Sequence, residues 1–592
     1  MDIDASNTEN VIGKGTWLDK LAFTLIEREK KIGRSLTNTI NVESGLGASG
    51  FPHIGSMGDA VRAFGISLAL RNMGYKSELI AFSDDLDGLR KVPQGLPSWL
   101  EEYLCKPVSS VPDPFGDCHE SYGQHMSGLL LEGLDNVGVK YKFKSGTEVY
   151  SSGLLKNQID TILSNSKLIG DHIALSAGQE KYKKYLPFFP ICQQCNRLYV
   201  ANATEYIPDE KAVAYECSGN TINKKHVQGC GNKGEVKIDA GQGKLAWKVE
   251  FAARWQALNI RFEAFGKDIM DSVRINDWVS SEILGFHHPL HVKYEMFLDK
   301  GGKKISKSSG NVLTPQMWLN YGTPQSLLLL LYKRIAGTRH VGIEDIPMLM
   351  DEYDLYEDVY FGKVKENNKS KLLKVKGIYE YINGLSPPTQ SQIHVPYRIL
   401  IQQSQLFIDQ KVDTVDKVYE RLKKYNLVKE PNDELTRRIM LSIEWAKEFK
   451  DSVMYTELET EGEAGYNLKK DDGHASKYTA ASRYGIEEKY RKAMLEVLSG
   501  LRSITSKIEE GNEKATMTES TTANGENQSP DLSQEVQNMI FNKAKGNGLE
   551  PRELFKSFYK VLINSDRGPR LGNYIVDLGI DNVTRMVERK IK

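Results

Sequence analysis

The sequence predicts a doubly wound α/β domain followed by a mostly helical half, and three observations carry that prediction. A buried strand, Thr39 to Val42, runs into the glycine-rich stretch Gly45-Leu46-Gly47-Ala48-Ser49-Gly50. A helix follows from about Ser56 to Met73, with Met57, Val61, Phe64 and Leu68 at i, i+4, i+7 and i+11 on one apolar face. Leu79-Ile80-Ala81-Phe82 then reads as a second buried strand, capped by Ser83-Asp84-Asp85-Leu86-Asp87-Gly88. Strand, glycine-rich turn, helix, strand is the opening of a Rossmann-like sheet.

Local chemistry supports each boundary. Asp59 sits in the first turn of that helix, Arg71 in the last, and Gly74 is placed to end it. Ligands of such sheets bind at the carboxyl ends of the strands, where His53 and Asp84 would both lie. Residues from about 105 to 240 read as insertions with Pro-rich and Cys-rich loops. The α/β pattern resumes near Ala264-Phe265-Gly266-Lys267-Asp268 and ends with the loop Gly301 to Asn311. Beyond 335 the pattern is helical, with Leu435 to Phe449 and Glu488 to Ile508 as examples; the latter carries Tyr490, Met494, Val497, Leu501 and Ile508 on one face. The expected division is 1–335 for the α/β part, 336–508 for a helical stem, 509–533 for a disordered linker and 534–592 for a helical end domain. A second polar stretch, about 456 to 476, also reads as disordered.

At 592 residues the chain exceeds one core, and about three or four domains are expected. With 78 basic and 78 acidic residues the net charge is zero, so a nucleic-acid partner needs a local basic patch. The acidic, polar start does not read as a signal peptide. The longest aliphatic run, Leu327 to Leu331, is too short to span a membrane and reads as part of a buried helix. No membrane partner and a cytoplasmic location are expected. All six cysteines fall in one third of the chain, which suggests metal ligation over a disulfide framework.

Two short motifs carry the chemistry. Pro52-His53-Ile54-Gly55-Ser56 stands at a helix start, where free N–H groups favour a phosphate and small upstream residues (Gly45, Gly47, Ser49, Gly50) admit a close ligand. Lys304-Ile305-Ser306-Lys307-Ser308, flanked by Gly301, Gly302 and Gly310, is a basic loop able to close on a polyphosphate. Alone, the first also fits an ordinary strand-to-helix turn and the second a solvated linker. Jointly and in this order they resemble the signatures of the class I aminoacyl-tRNA synthetases.

Further stretches are similar to the lysyl type of that class: Gly47 to Gly55, Ser83 to Lys91, Pro112-Asp113-Pro114-Phe115-Gly116, Lys244 to Val249, Phe265 to Asp268, Asp351-Glu352-Tyr353 and Gly568 to Gly572. The resemblance covers nearly the whole chain. It implies activation of lysine by ATP, with Mg²⁺, and transfer to tRNA-Lys by a chain expected to be a monomer. His53, Lys304 and Lys307 are the implied catalytic groups, with Gly50, Pro52, Gly55, Ser56, Ser306 and Ser308 around the nucleotide. Ser56 stands where many class I enzymes have His, and Ile305 where Met is usual. The substrate ammonium needs a carboxylate or an aromatic wall, for which Asp84, Asp85, Trp247 and Tyr294 are candidates beside Gly45 and Gly47. Asp87 of the same turn is a further candidate carboxylate, and Ile269 stands where the family often has His. The nearest alternatives are a glutamyl- or glutaminyl-type synthetase and a non-catalytic tRNA-binding paralogue.

Cys192-Gln193-Gln194-Cys195 forms a knuckle that joins Cys217 and Cys230 in a candidate Zn²⁺ site, with His226 as a competing ligand. Asp113, Cys118, His119 and His125 form a second candidate Zn²⁺ set, in which Asp117 is an alternative to Asp113. The basic stretches Arg421 to Tyr425 and Arg437-Arg438 are candidate phosphate contacts, or solvated helix faces.

Overall fold

The computed structural model describes residues 12–116, 118–294, 297–299, 301, 313–335, 337–392, 394–408, 413–425, 427–449, 486–515, 532–563 and 570–591. The chain divides into two compact units, residues 1–392 and 393–592.

The first unit is built on five parallel strands: β1 (Ile40–Leu46), β2 (Ser77–Ser83), β3 (Lys142–Ser145), β4 (Ile260–Gly266) and β5 (Leu290–Tyr294). Their order is β5-β4-β1-β2-β3, so the chain winds outward from β1 in both directions. Between β1 and β4 the direction of winding reverses, and sheets of this kind bind their ligands in a crevice at the strand ends beside such a point. Register places Leu46 opposite Ser83 and Gly266 opposite Tyr294, which brings four strand ends to one rim. One of these strands departs from what the sequence suggests: β3 lies within the 105–240 segment, which reads as insertions, whereas β4 and β5 fall where the α/β pattern is expected to resume.

Helix α2 (Ile54–Asn72) backs this sheet, and helix α1 (Trp17–Lys31) packs on α2. Met57, Val61, Phe64 and Leu68 of α2 are buried as expected, but so are Ala60, Ala63, Ile66 and Leu70 on the other side. The second face is covered by α1 and by the helix Pro324–Tyr332, whose Leu327 to Leu331 are all buried. A Cβ on Gly65 would stand 2.7 Å from the Tyr332 ring and 2.8 Å from Leu18, so only glycine allows this approach. Gly74 ends the turn after α2 at φ +88°, in the left-handed region.

After β3 the chain adds helices and small antiparallel sheets. Three strands, Asn202–Ile207, Ala212–Glu216 and Lys233–Lys237, form one sheet, and Phe188–Pro190 pairs with Gly243–Leu245. The helices Ile346–Tyr360 and Lys369–Ile382 belong to the first unit. Tyr381 donates to Asp19 of α1 at 2.6 Å, and the Tyr379 hydroxyl donates to Glu357 at 2.9 Å.

The second unit is helical among its described residues, from Tyr397–Gln405 to Ile580–Ile591. Asn432 caps the helix Asp433–Glu448 by accepting from Leu435 N–H at 2.8 Å. In the helix Glu488–Ala515, Met494, Val497 and Leu501 are fully buried, as their spacing predicts. That helix runs into the start of the expected 509–533 linker, and residues 516–531 lie outside the described residues. So does the whole polar stretch 456–476. Among the described residues no helix is long and apolar enough to cross a membrane.

Candidate functional site

The crevice at the strand ends is built from charged side chains that the fold has desolvated. Asp84 N–H donates to the Leu46 carbonyl at 2.9 Å, which ties the first aspartate of the turn to the end of β1. Helix α3 (Trp247–Ala257) sends Arg254 under the sheet rim. Its guanidinium lies 3.0 Å from Glu43 of β1, 3.0 Å from Asp84 and 3.9 Å from Glu263 of β4, with the rings of Phe82 and Phe251 against it. Burial pushes the Glu43 carboxyl up to about 8, and neighbouring carboxylates add to that against the pull of Arg254. Burial likewise raises Asp84 to about 7. One cation therefore joins two strands at mid-length to the turn after a third, and removing it would leave buried carboxylates uncompensated.

A second buried pair stands beside it. Lys244 reaches Asp87 at 2.5 Å and Glu250 at 3.1 Å, and Tyr150 donates to Glu250 at 2.8 Å. Asp85 has a local duty: it accepts from the Ser145 hydroxyl at 2.5 Å and from the Thr147 N–H at 2.7 Å, beyond the end of β3. Each aspartate of the Asp84 to Asp87 turn thus already has a partner inside the protein. Trp247 is half-buried, and its indole N–H is buried without a hydrogen-bond partner. Arg90 lies over it at 5.6 Å and over Tyr199 at 4.9 Å. Tyr294, at the end of β5, packs under Arg62 at 4.7 Å, and a Cβ on Gly266 would come within 3.8 Å of its hydroxyl. Gly45 lies about 4 Å, measured from the Cβ it lacks, from both Asp84 and Arg254.

His53 is the N-cap of α2. Its Nδ1 accepts from Ser56 N–H at 3.1 Å, while its own N–H donates to the Ser56 hydroxyl at 3.0 Å, which closes a capping box. In the neutral ring this leaves the proton on Nε2. A Cβ on Gly55 would sit 2.8 Å from the His53 ring, so the glycine makes room for the imidazole. Lys304, Ser306, Lys307 and Ser308 lie outside the described residues. The chain returns at Leu313, whose carbonyl accepts from Ile54 N–H at 2.9 Å. Leu313, two residues beyond the second motif's loop, is thereby fastened next to His53.

The cysteine insertion brings Cys192, Cys195, Cys217 and Cys230 together, with ligand atoms all within 4.8 Å. Cys192 and Cys230 sulfurs are 3.5 Å apart and those of Cys195 and Cys217 3.8 Å, too long for disulfides. Four sulfurs about 2.3 Å from a tetrahedral zinc stand about 3.8 Å apart, so the set fits that ion. Burial opposes ionisation of Cys192, but hydrogen bonds from Cys195 and Gln194 N–H outweigh it and bring the thiol down to about 6. His226 is on the hairpin Asn220–Val227 and does not join this group. Asp113, Cys118, His119 and His125 also converge: His125 Nδ1 lies 3.0 Å from Asp113, and Cys118 Sγ lies 3.3 Å from Asp113 and from His125. Phe115 stacks on the His125 ring at 4.3 Å. Asp117 lies outside the described residues.

Sequence reading missed Arg254, Glu43 and Glu250. Their signal is faint: Glu250 and Arg254 are single charges at i, i+4 inside the apolar run Val249 to Trp255, where a solvated helix would show a polar face. Of the basic stretches in the second unit, Arg438 is buried and Arg421 binds Gln403 at 3.0 Å.

The model of class I (K) tRNA synthetases matches residues 15–384. A lysine–tRNA ligase of Cenarchaeum symbiosum (strain A) is 48% identical over 583 residues, 98% of this chain and 100% of the relative. One from Rickettsia bellii (strain OSU 85-389) is 29% identical over 576 residues, 95% of this chain and 97% of the relative.

Proposed function

This chain belongs to the class I (K) tRNA synthetases, and from that premise we infer that it is a lysine–tRNA ligase. It activates lysine with ATP to lysyl-adenylate, releasing pyrophosphate, and transfers the lysyl group to the 3′-terminal ribose of tRNA-Lys. The single observation that carries this reading onto the site is the bond from Ile54 N–H to Leu313. It supports bringing the Lys304 to Ser308 loop to the helix start that His53 caps.

In the first step the lysine carboxylate attacks the α-phosphorus and pyrophosphate leaves, so the protein positions groups and meets charge. His53 donates from Nε2 to a phosphoryl oxygen, with Ser56 holding the ring. The α2 N-terminus, with Gly50, Pro52, Gly55 and Ser56, cradles the nucleotide. Lys304 and Lys307 neutralise charge that grows on the leaving phosphates, and Ser306 and Ser308 donate beside them. Mg²⁺ accompanies ATP and shares that neutralisation. Gly45, Gly47, Trp247 and Tyr294 shape the lysine pocket, and the open indole N–H of Trp247 is available to a substrate acceptor. Asp84, which Arg254 also holds, is the carboxylate assigned to the ε-ammonium, while Asp85 is engaged by Ser145 and Thr147. The four cysteines hold a structural Zn²⁺, and the Asp113 set a second; the ions brace loops and take no part in a step. The enzyme acts as a cytoplasmic monomer.

A glutamyl- or glutaminyl-type enzyme and a non-catalytic paralogue are not favoured by the relatives. ATP–pyrophosphate exchange in the presence of tRNA tests the choice. Lysine-dependent exchange is expected; exchange with glutamate in place of lysine, or tight tRNA binding with no exchange for any amino acid, would overturn it.

A further inference from the structure

A third group of ligand side chains stands apart from the crevice and from both thiolate clusters. Asp277 is the penultimate residue of the helix Met270–Trp278, His288 precedes β5, and His291 is its second residue, at the strand end opposite the crevice. Their ligand atoms all lie within 4.8 Å of one another.

The orientation of His291 is informative. Its Nδ1 is 3.2 Å from the Glu263 carbonyl, which can only accept, so that nitrogen carries a proton. In the neutral ring Nε2 then holds a lone pair, yet it faces the Asp277 Oδ1 at 2.9 Å. Two acceptors at that separation repel unless a cation joins them. The arrangement matches that of a metal-bound histidine, whose second nitrogen donates to a carbonyl or carboxylate. His288 Nδ1 is 3.6 Å from the same aspartate oxygen, and its ring stacks on that of His291 at 5.6 Å. Two donors on a tetrahedral zinc stand about 3.3 Å apart, and the separations of 2.9 and 3.6 Å bracket that value. His288 Nδ1 also donates to the Pro289 carbonyl at 2.8 Å, a bond that ligation would replace. The His288 and Asp277 side chains are 36% and 27% exposed, so an ion can enter from solvent.

We propose that Asp277, His288 and His291 bind a borderline divalent ion, Zn²⁺ or Co²⁺, with a coordination position left open to water. The ion clips the end of the helix Met270–Trp278 to the start of β5. It also bears on Trp255, whose ring lies 5.0 Å from His291 and whose N–H donates to Glu263 at 2.5 Å.

Total divalent metal in the full-length protein, as purified and after titration with Co²⁺, tests this. The parent should hold one ion per chain more than the double variant His288→Gln, His291→Gln. When that ion is Co²⁺ it should show d–d absorption without a thiolate-to-metal band, because both other clusters contain cysteine. Asp277→Asn should weaken this binding by roughly tenfold or more. Far-UV circular dichroism keeps the comparison to folded variants. Equal metal content in parent and double variant overturns the site. So does a His291 ring that NMR finds doubly protonated at neutral pH with Co²⁺ present, since a proton then fills the gap to Asp277.

Discussion

At His53 one ring serves both as the cap of α2 and as the proposed phosphate donor, and Ser56 joins the two duties. The hydroxyl accepts from His53 N–H and also donates to the His53 carbonyl at 2.9 Å. A serine where a second imidazole is usual in class I thus gives up a donor and gains a fixed partner. Ser56→Ala should cost about 0.5–2 kcal/mol of stability, read from urea unfolding, and lower kcat more than it raises the lysine KM. Lys307→Ala should lower the rate of adenylate formation by roughly 10²-fold or more, the typical loss of a charged transition-state contact. A rate within about threefold of the parent would sink the assignment. Glu43 supplies a pH signature. Its folded carboxyl is raised from the ordinary 4.5 to about 8, so the folded chain keeps a proton that the unfolded chain has lost. That contribution is whole below about pH 4.5 and drains away as pH rises toward 8. Glu43→Gln should flatten the fall in urea midpoint between about pH 5 and 8; an unchanged slope would assign the loss to other groups.

At the scale of elements, periodicity reported less than the helix does. The spacing of Met57, Val61, Phe64 and Leu68 predicts one apolar face, but α2 has neighbours on both sides, and Gly58 and Gly65 are where those neighbours come closest. Gly65→Ala adds a methyl within 2.8 Å of both Tyr332 and Leu18. It should destabilise by about 1–3 kcal/mol in spite of alanine's better helix propensity, measured by thermal unfolding. β3 hid for the opposite reason: Lys142-Phe143-Lys144-Ser145 is a short edge strand, and edge strands carry charge. The cysteine insertion is readable from its knuckle, but that Cys217 and Cys230 converge on it, with His226 on a separate hairpin, is seen only in the folded chain. Stripping metal with a chelator should lower Tm and release zinc from the insertion, with Cys192→Ser giving the same shift; a chelated protein with the parent's Tm would remove the structural role.

For the whole molecule, neutrality hides how tRNA is held. With equal numbers of acidic and basic residues, binding must come from local cations, and buried Arg438 cannot serve as a solvent-facing one. Raising salt from about 50 to 200 mM should weaken tRNA binding on the order of tenfold or more while the lysine KM stays nearly constant. A salt-independent tRNA affinity would point to contacts other than phosphate. The two units meet in sequence near 392, beyond the 335 that pattern suggested, because the helices 346–382 pack on the first unit through contacts such as Tyr381 with Asp19. By itself the sequence determined what is local: the glycine turn with its helix, the two candidate phosphate motifs, the cysteine knuckle and the family resemblance. Those are written in neighbouring residues, through backbone freedom, caps and ligand spacing. Only the tertiary structure decided that Arg254 clamps Glu43 and Asp84, that Asp85 is spent on Ser145 and Thr147, and that Leu313 fastens to Ile54. These contacts join residues up to about 260 positions apart, and burial and pairing across such spans depend on which strands lie side by side.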